Sequence, residues 1–125
     1  MKAQNILIVE DNPMMLKALS YTFSHTQYQV SSAIDGLQAK AFYDELKPAI
    51  VISDLLLPFI TGLELIEHIR DTEDTYTKIM VLTSLSTEDT ICQAFDLGID
   101  DYMVKPFISS ELVARIKRLQ RYRIN

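Results

Sequence analysis

The sequence predicts an α/β fold: a doubly wound (βα)5 sandwich built on a parallel five-stranded sheet. Three observations predict it. Five short apolar, β-branched runs recur along the 125 residues. Each is followed by a segment whose apolar residues repeat at helical spacing. No internal repeat, linker or low-complexity stretch interrupts the alternation. A chain of this pattern forms a parallel sheet covered by helices on both faces.

The first run, Ile6–Val9, stops at Glu10-Asp11. Asn12 can cap the helix that follows and Pro13 suits its first turn, with Met15, Leu19 and Phe23 on one face. The second strand, Tyr28–Ala33, precedes a helix carrying Ala39, Phe42 and Leu46, closed by Pro48. The third, Ala49–Ser53, ends at Asp54 and leads to a helix marked by Leu63, Ile66 and Ile69. The fourth, Lys78–Thr83, leads to a helix marked by Ile91, Ala94 and Phe95 and stopped by Gly98. Cys92 on that helix is expected to be a small buried apolar group. The fifth strand, Tyr102–Lys105, precedes a helix with Leu112, Ile116 and Leu119. All these stripes are assigned to the core. Right-handed crossovers leave few topologies for five such units, and the simplest is the flavodoxin-like strand order 2-1-3-4-5.

Composition bounds the function. The chain has 12 basic and 17 acidic side chains, 48% hydrophobic residues and one cysteine. That is one domain's length, with a radius of gyration of about 14 Å, able to bury its core without disulfides or a structural metal. A single Cys92 fits a reducing cytosol and predicts a cytoplasmic location. The apolar run after Lys2 is too short for a secretory signal, and nothing approaches the ~18 residues of a membrane span. A net charge of −5 argues against direct nucleic-acid binding. The charge is uneven: residues 1–110 hold 7 basic and 16 acidic side chains, and residues 111–125 hold 5 and 1. Arg115, Lys117, Arg118, Arg121 and Arg123 read as the solvated face and end of the last helix, where cations complement its dipole. A lead-in to a following domain or a partner surface is the alternative. His25 and His68 read as surface histidines.

Parallel strands place their C-terminal ends on one edge, where such sheets bind ligands. Glu10-Asp11, Asp54, Thr83-Ser84 and Lys105-Pro106 all fall there. Crowded carboxylates need compensation, and two kinds are at hand: a hard divalent cation and the Lys105 ammonium. Asp54 could then act as a nucleophile forming an aspartyl-phosphate, with Thr83 and Lys105 stabilising the phosphoryl oxygens.

Four blocks carry a family resemblance: ILIVEDNP (6–13), VISDLLLPFITGLELI (51–66), IMVLTS (79–84) and LGIDDYMVKPF (97–107). In this order, each at a strand end, they resemble the receiver domain of bacterial two-component response regulators. The resemblance implies that Asp54 accepts a phosphoryl group from the phosphohistidine of a sensor histidine kinase or a phosphotransfer protein. It makes Glu10, Asp11, Asp54 and the backbone carbonyl of Leu56 the Mg2+ ligands. Thr83 becomes the switch hydroxyl, Lys105 the phosphate-binding lysine and Tyr102 the switch aromatic, acting on the face of helix 4, strand 5 and helix 5. Lys105-Pro106 matches a bond that is cis in the family, and Gly62 a loop position needing backbone freedom.

Residues 1–122 are then expected to form the receiver domain, with 123–125 a tail or the start of a linker to an output domain. The last segment, FISSELVARIKRLQRY, resembles regulators that carry a DNA-binding output. Such regulators form a homodimer on phosphorylation, using charges matched here by Asp100, Asp101, Glu111 and Arg115. Ile91 stands where a basic residue is usual. Two other classes fit these residues less well. A Mg2+-dependent phosphohydrolase with an aspartate nucleophile needs a second aspartate where Leu56 stands. A phosphorylation-independent docking domain would lack part of the set Glu10, Asp11, Asp54, Thr83 and Lys105. Leu56 and Leu85, bulky and apolar beside the acceptor in the resemblance, imply slow self-dephosphorylation.

Overall fold

The structure, a computed structural model, describes residues 4–84 and 87–121. Within them strands and helices alternate as expected: β1 (Asn5–Val9), α1 (Pro13–Ser24), β2 (Gln29–Ala33), α2 (Gly36–Leu46), β3 (Ile50–Ser53), α3 (Gly62–Asp71), β4 (Lys78–Thr83), α4 (Glu88–Leu97), β5 (Asp101–Val104) and α5 (Ser109–Arg121). The strands form one parallel sheet in the order β2-β1-β3-β4-β5.

Side chains on a strand alternate between faces, and here both faces are apolar. Leu7, Val9, Val51, Ile79 and Val81 join one core cluster with residues of α2, α3 and α4. Ile6, Ile8, Ile50, Ile52, Met80 and Leu82 join the other with residues of α1 and α5. The central strands are therefore buried on both sides, which leaves only their C-terminal ends open for chemistry.

Caps fix where the helices begin. Asn12 accepts from the N–H groups of Met14 and Met15, and Pro13 stands in the first turn. Thr61 and Glu64 form a reciprocal capping box at the start of α3. Gly98 ends α4 with φ at 112°, a left-handed cap that favours glycine.

Four details differ from the sequence reading. Phe95 is 44% exposed and Cys92 is exposed, so the outer side of α4 is wet and neither residue lines the core. On α2 Ala39 is buried as expected, but Tyr43 is buried where Leu46 is only half-buried; the Tyr43 phenol reaches a polar partner that periodicity does not reveal. Leu65 is buried on α3 while Leu63 is half-buried. Gly62 is needed for space rather than for unusual φ. A Cβ there would lie 2.3 Å from the Asp54 carbonyl oxygen and 2.5 Å from the Leu55 Cα. Arg123 and the boundary expected at 122 lie outside the described residues, and so does Leu85.

The edge opposite the strand C-termini is closed by a polar latch. Arg70 donates to the carbonyls of Gly98 (2.9 Å), Asp74 and Thr77 (both 2.8 Å) and to the Asp100 carboxylate (3.1 Å), joining α3, α4 and β4. Asp74 accepts from the N–H groups of Tyr76 and Thr77, from the Thr77 hydroxyl and from the Tyr43 phenol. Burial alone would raise the Asp74 carboxyl, but the bonds from Thr77 and Tyr43 more than reverse this and hold it at about 2. Burial and the same carboxylate push Tyr43 up to about 12. A lowered carboxyl contributes stability above its ordinary pKa of 3.8 and loses it as pH falls towards 2. Asp74→Asn is expected to cost about 1–3 kcal/mol at neutral pH. Denaturant titrations of both proteins from pH 7 down to pH 2 should show that difference shrinking below about pH 4. A constant difference across the range would contradict the ionic role of Asp74.

Candidate functional site

Every strand except the edge strand β2 delivers a polar residue to the same end of the sheet. Glu10 directly follows β1 and is buried; Asp54 directly follows β3 at 7% exposure; Thr83 closes β4 and is fully buried; Lys105 directly follows β5. Backbone bonds continue the ladder past the strand ends and set these positions. The Glu10 N–H donates to the Ala33 carbonyl, the Asp54 N–H to Val9 and the Lys105 N–H to Thr83.

The side chains converge on Asp54. Its Oδ1 accepts from the Thr83 hydroxyl at 2.8 Å and from the Leu56 N–H at 3.1 Å. Its Oδ2 accepts from the Lys105 ammonium at 2.8 Å. The same ammonium donates to Glu10 Oε1, so one cation bridges two acids that leave adjacent strands. Lys105-Pro106 is a cis peptide bond. The close approach of Gly62 to the Asp54 carbonyl packs the start of α3 against the loop that follows β3.

Burial raises the Glu10 carboxyl, the Lys105 ammonium lowers it in part, and the charge of Asp54 raises it further. Burial works against the charge on Lys105, but its bonds to Asp54 and Glu10 win and raise its pKa. The cluster is thus comfortable for the cation and uncomfortable for Glu10.

A divalent cation fits this donor set. Glu10 Oε2 is buried with no hydrogen-bond partner, the kind of orphaned oxygen a hard cation satisfies. Asp11 is exposed and makes no hydrogen bond into the cluster among the described residues, so the acidic pair is split between a buried and a solvated member. Among the described residues no three His, Cys, Asp or Glu side chains form a ready cage. Magnesium, which keeps several waters, does not require one.

Other expected residues are placed as follows. Tyr102 is half-buried on β5 and stacks edge-to-face on Phe95. Leu56 is 55% exposed beside Asp54, to which its N–H donates. Asp100 is bound to Arg70 and to the Ile79 N–H. Asp101 pairs with Arg115 and Arg118, and Arg115 also pairs with Glu111. The charges matched to a dimer are therefore all engaged within one chain. His25 is exposed, and His68 meets Asp44 at 2.7 Å.

Sheet order, buried strand-end acids, hydroxyl and lysine together define a receiver-type α/β domain. The chain matches the response regulator receiver domain family over residues 6–117, and it belongs to that family. It is 34% identical over 117 residues to the DNA-binding dual master transcriptional regulator RpaA of Synechocystis sp., covering 93% of this chain and 48% of that protein. It is 32% identical over 118 residues to the alkaline phosphatase synthesis transcriptional regulatory protein PhoP of Bacillus subtilis, covering 94% and 49%. The chain spans about half the length of these curated relatives. Among solved structures, the BeF3-activated DrrB receiver domain has a TM-score of 0.86 at 30% identity, covering 96% of this chain and 99% of that one. No helix among the described residues is long and apolar enough to cross a membrane.

A raised carboxyl pKa favours folding only at low pH and opposes it as pH rises through the raised value. At neutral pH the Glu10 charge therefore weakens the metal-free fold. Glu10→Gln should raise the unfolding midpoint in chelator by a few degrees, about 1 kcal/mol, and should shrink the stabilisation that Mg2+ gives. Thermal unfolding of both proteins with and without Mg2+ checks this. A variant less stable than wild type in chelator would contradict it.

Proposed function

We propose that the chain is the phosphorylation-dependent switch of a two-component system, with Asp54 as the phosphoacceptor. The donor is the phosphohistidine of a sensor histidine kinase or of a phosphotransfer protein. An Asp54 oxygen bonds to phosphorus as the donor's phosphorus–nitrogen bond breaks, and the imidazole leaves with the bonding pair. Oδ1 already accepts from Thr83 and Leu56, while Oδ2 accepts from Lys105, which leaves Oδ2 the freer lone pairs. Negative charge then shifts from the carboxylate to the phosphoryl oxygens, within reach of the donors on Lys105 and Thr83.

Bound Mg2+ would supply charge neutralisation to the carboxylates and the phosphoryl group. Glu10, Asp11, Asp54 and the Leu56 carbonyl would hold it. Thr83 carries the signal away from Asp54 and Tyr102 expresses it on the face of α4, β5 and α5, changing affinity for a partner there. A homodimer and a transcriptional output in the cytoplasm are the outcomes proposed for that change. The similarity to RpaA and PhoP, both named transcriptional regulators, supports the second.

Leu56 offers no group to orient a hydrolytic water, and self-dephosphorylation is accordingly slow. Leu85, expected to share that role, lies outside the described residues.

The observation that carries the proposal is one buried carboxylate receiving both a hydroxyl and an ammonium. Incubation with acetyl phosphate and Mg2+, followed by intact-mass measurement, should show one added phosphoryl group on wild type and none on Asp54→Asn. Equal modification of the variant would sink the assignment. In the same assay phosphorylated Leu56→Asn should decay several-fold faster than wild type, and equal or slower decay would remove the shielding role of Leu56.

A further inference from the structure

Tyr102 is pinned by its main chain and loose at its side chain. Its N–H donates to the Asp101 carboxylate at 2.8 Å and its carbonyl accepts from Arg115 at 3.3 Å. Its hydroxyl makes no hydrogen bond among the described residues. What places the ring is apolar contact: it packs against the core cluster that includes Ala94 and Ile99 and meets Phe95 edge-to-face. The two ring centroids are 5.9 Å apart and the planes lie at 81°. Towards α5 the same residue borders an open groove of about 390 Å³ lined by Val104, Phe107, Ile108, Glu111 and Arg115. The ring itself lies on the α4 side of the sheet, opposite the neighbouring Met103, which joins the core under α5.

Phe95 is 44% exposed, although its spacing assigns it to the core. Its edge-to-face contact with Tyr102 is the specific interaction it makes.

We propose that Phe95 is a positioning residue for Tyr102. Its ring holds Tyr102 in the half-buried placement of the unphosphorylated protein and couples α4 to the acceptor site through this ring pair. The proposal rests on the reading of Asp54 as phosphoacceptor and Tyr102 as switch aromatic. It adds the contact that sets the resting bias. Val81 on β4 lies opposite Tyr102 in the sheet, and Thr83 is two residues further along β4. A shift of Thr83 and a change in the Tyr102 ring therefore act on neighbouring positions of one strand pair. Loss of the Phe95 ring frees Tyr102 from this contact and lets the protein reach its activated arrangement more readily.

The test compares wild type, Phe95→Leu and Phe95→Tyr. Selectively 13C-labelled tyrosine reports the Tyr102 ring by NMR without phosphorylation, and acetyl phosphate with Mg2+ gives the rate of Asp54 modification. In Phe95→Leu the Tyr102 signal should broaden or move towards its position in the phosphorylated protein. Modification should quicken about threefold or more, the size expected for one aromatic pair. Phe95→Tyr, which keeps a ring, should restore both wild-type values. An unmoved Tyr102 signal, or an unchanged or slower rate in Phe95→Leu, overturns the proposal. Absence of any modification of wild-type Asp54 would instead defeat the phosphoacceptor reading, and the NMR comparison would still decide whether Phe95 holds the ring.

Discussion

Two carboxylates that leave neighbouring strands are buried close together, and a single ammonium bridges them. Lys105 enters from β5, with β4 and then β3 between it and β1. Strands are spaced by roughly 4.8 Å, so only a long side chain can cross that distance. Lysine supplies a four-carbon stem, and Glu10, one methylene longer than aspartate, helps to close the remaining gap. Most other features of the site follow from this bridge. Asp54 can stay nearly buried because Lys105 and Thr83 satisfy its two oxygens. Glu10 keeps one oxygen without a partner because the ammonium reaches only the other. The metal-free cluster is thus held together, yet one acid remains under-compensated, which is the condition that favours a cation.

The rest of the fold keeps that cluster in register. Both faces of the central strands are sealed by core, so the acids can emerge only where the strands end. Gly62 allows α3 to press on the Asp54 backbone, where any side chain would collide. At the far edge, Arg70 ties α3, the Gly98 cap and β4 together, away from the chemistry. On the side of α4, β5 and α5, Phe95, Val104 and Ile108 remain exposed and a groove borders Tyr102.

Much of this was legible in the sequence because strand runs and strand-end residues are local signals. Ile6–Val9 followed by Glu10-Asp11, or Lys78 to Thr83, reads directly, and parallel topology brings those ends together. Less local features were not legible. Tyr43 is buried because Asp74, 31 residues later, receives its hydroxyl, and periodicity cannot register a distant polar partner. Phe95 fits a helical stripe yet lies on the wet side of α4, since a stripe gives direction only to within a residue or so. Phe59 adopts a left-handed φ of 70° while 77% exposed, a conformation that a bulky residue gives no cue for. The engagement of Glu10 rather than Asp11 depends on side-chain direction at a strand end, which composition and spacing leave open.

The central claim is that the Lys105 charge is required because of the two acids it bridges. The most direct measurement is the stability cost of Lys105→Met at neutral pH without metal, taken in two backgrounds by denaturant unfolding. With Glu10 and Asp54 present, the substitution leaves two buried carboxylates uncompensated and should cost about 3–5 kcal/mol. In a background carrying Glu10→Gln and Asp54→Asn, the same substitution should cost less than about 1 kcal/mol or be stabilising. An equal loss in both backgrounds would show that Lys105 is held for its packing alone, and would contradict this account.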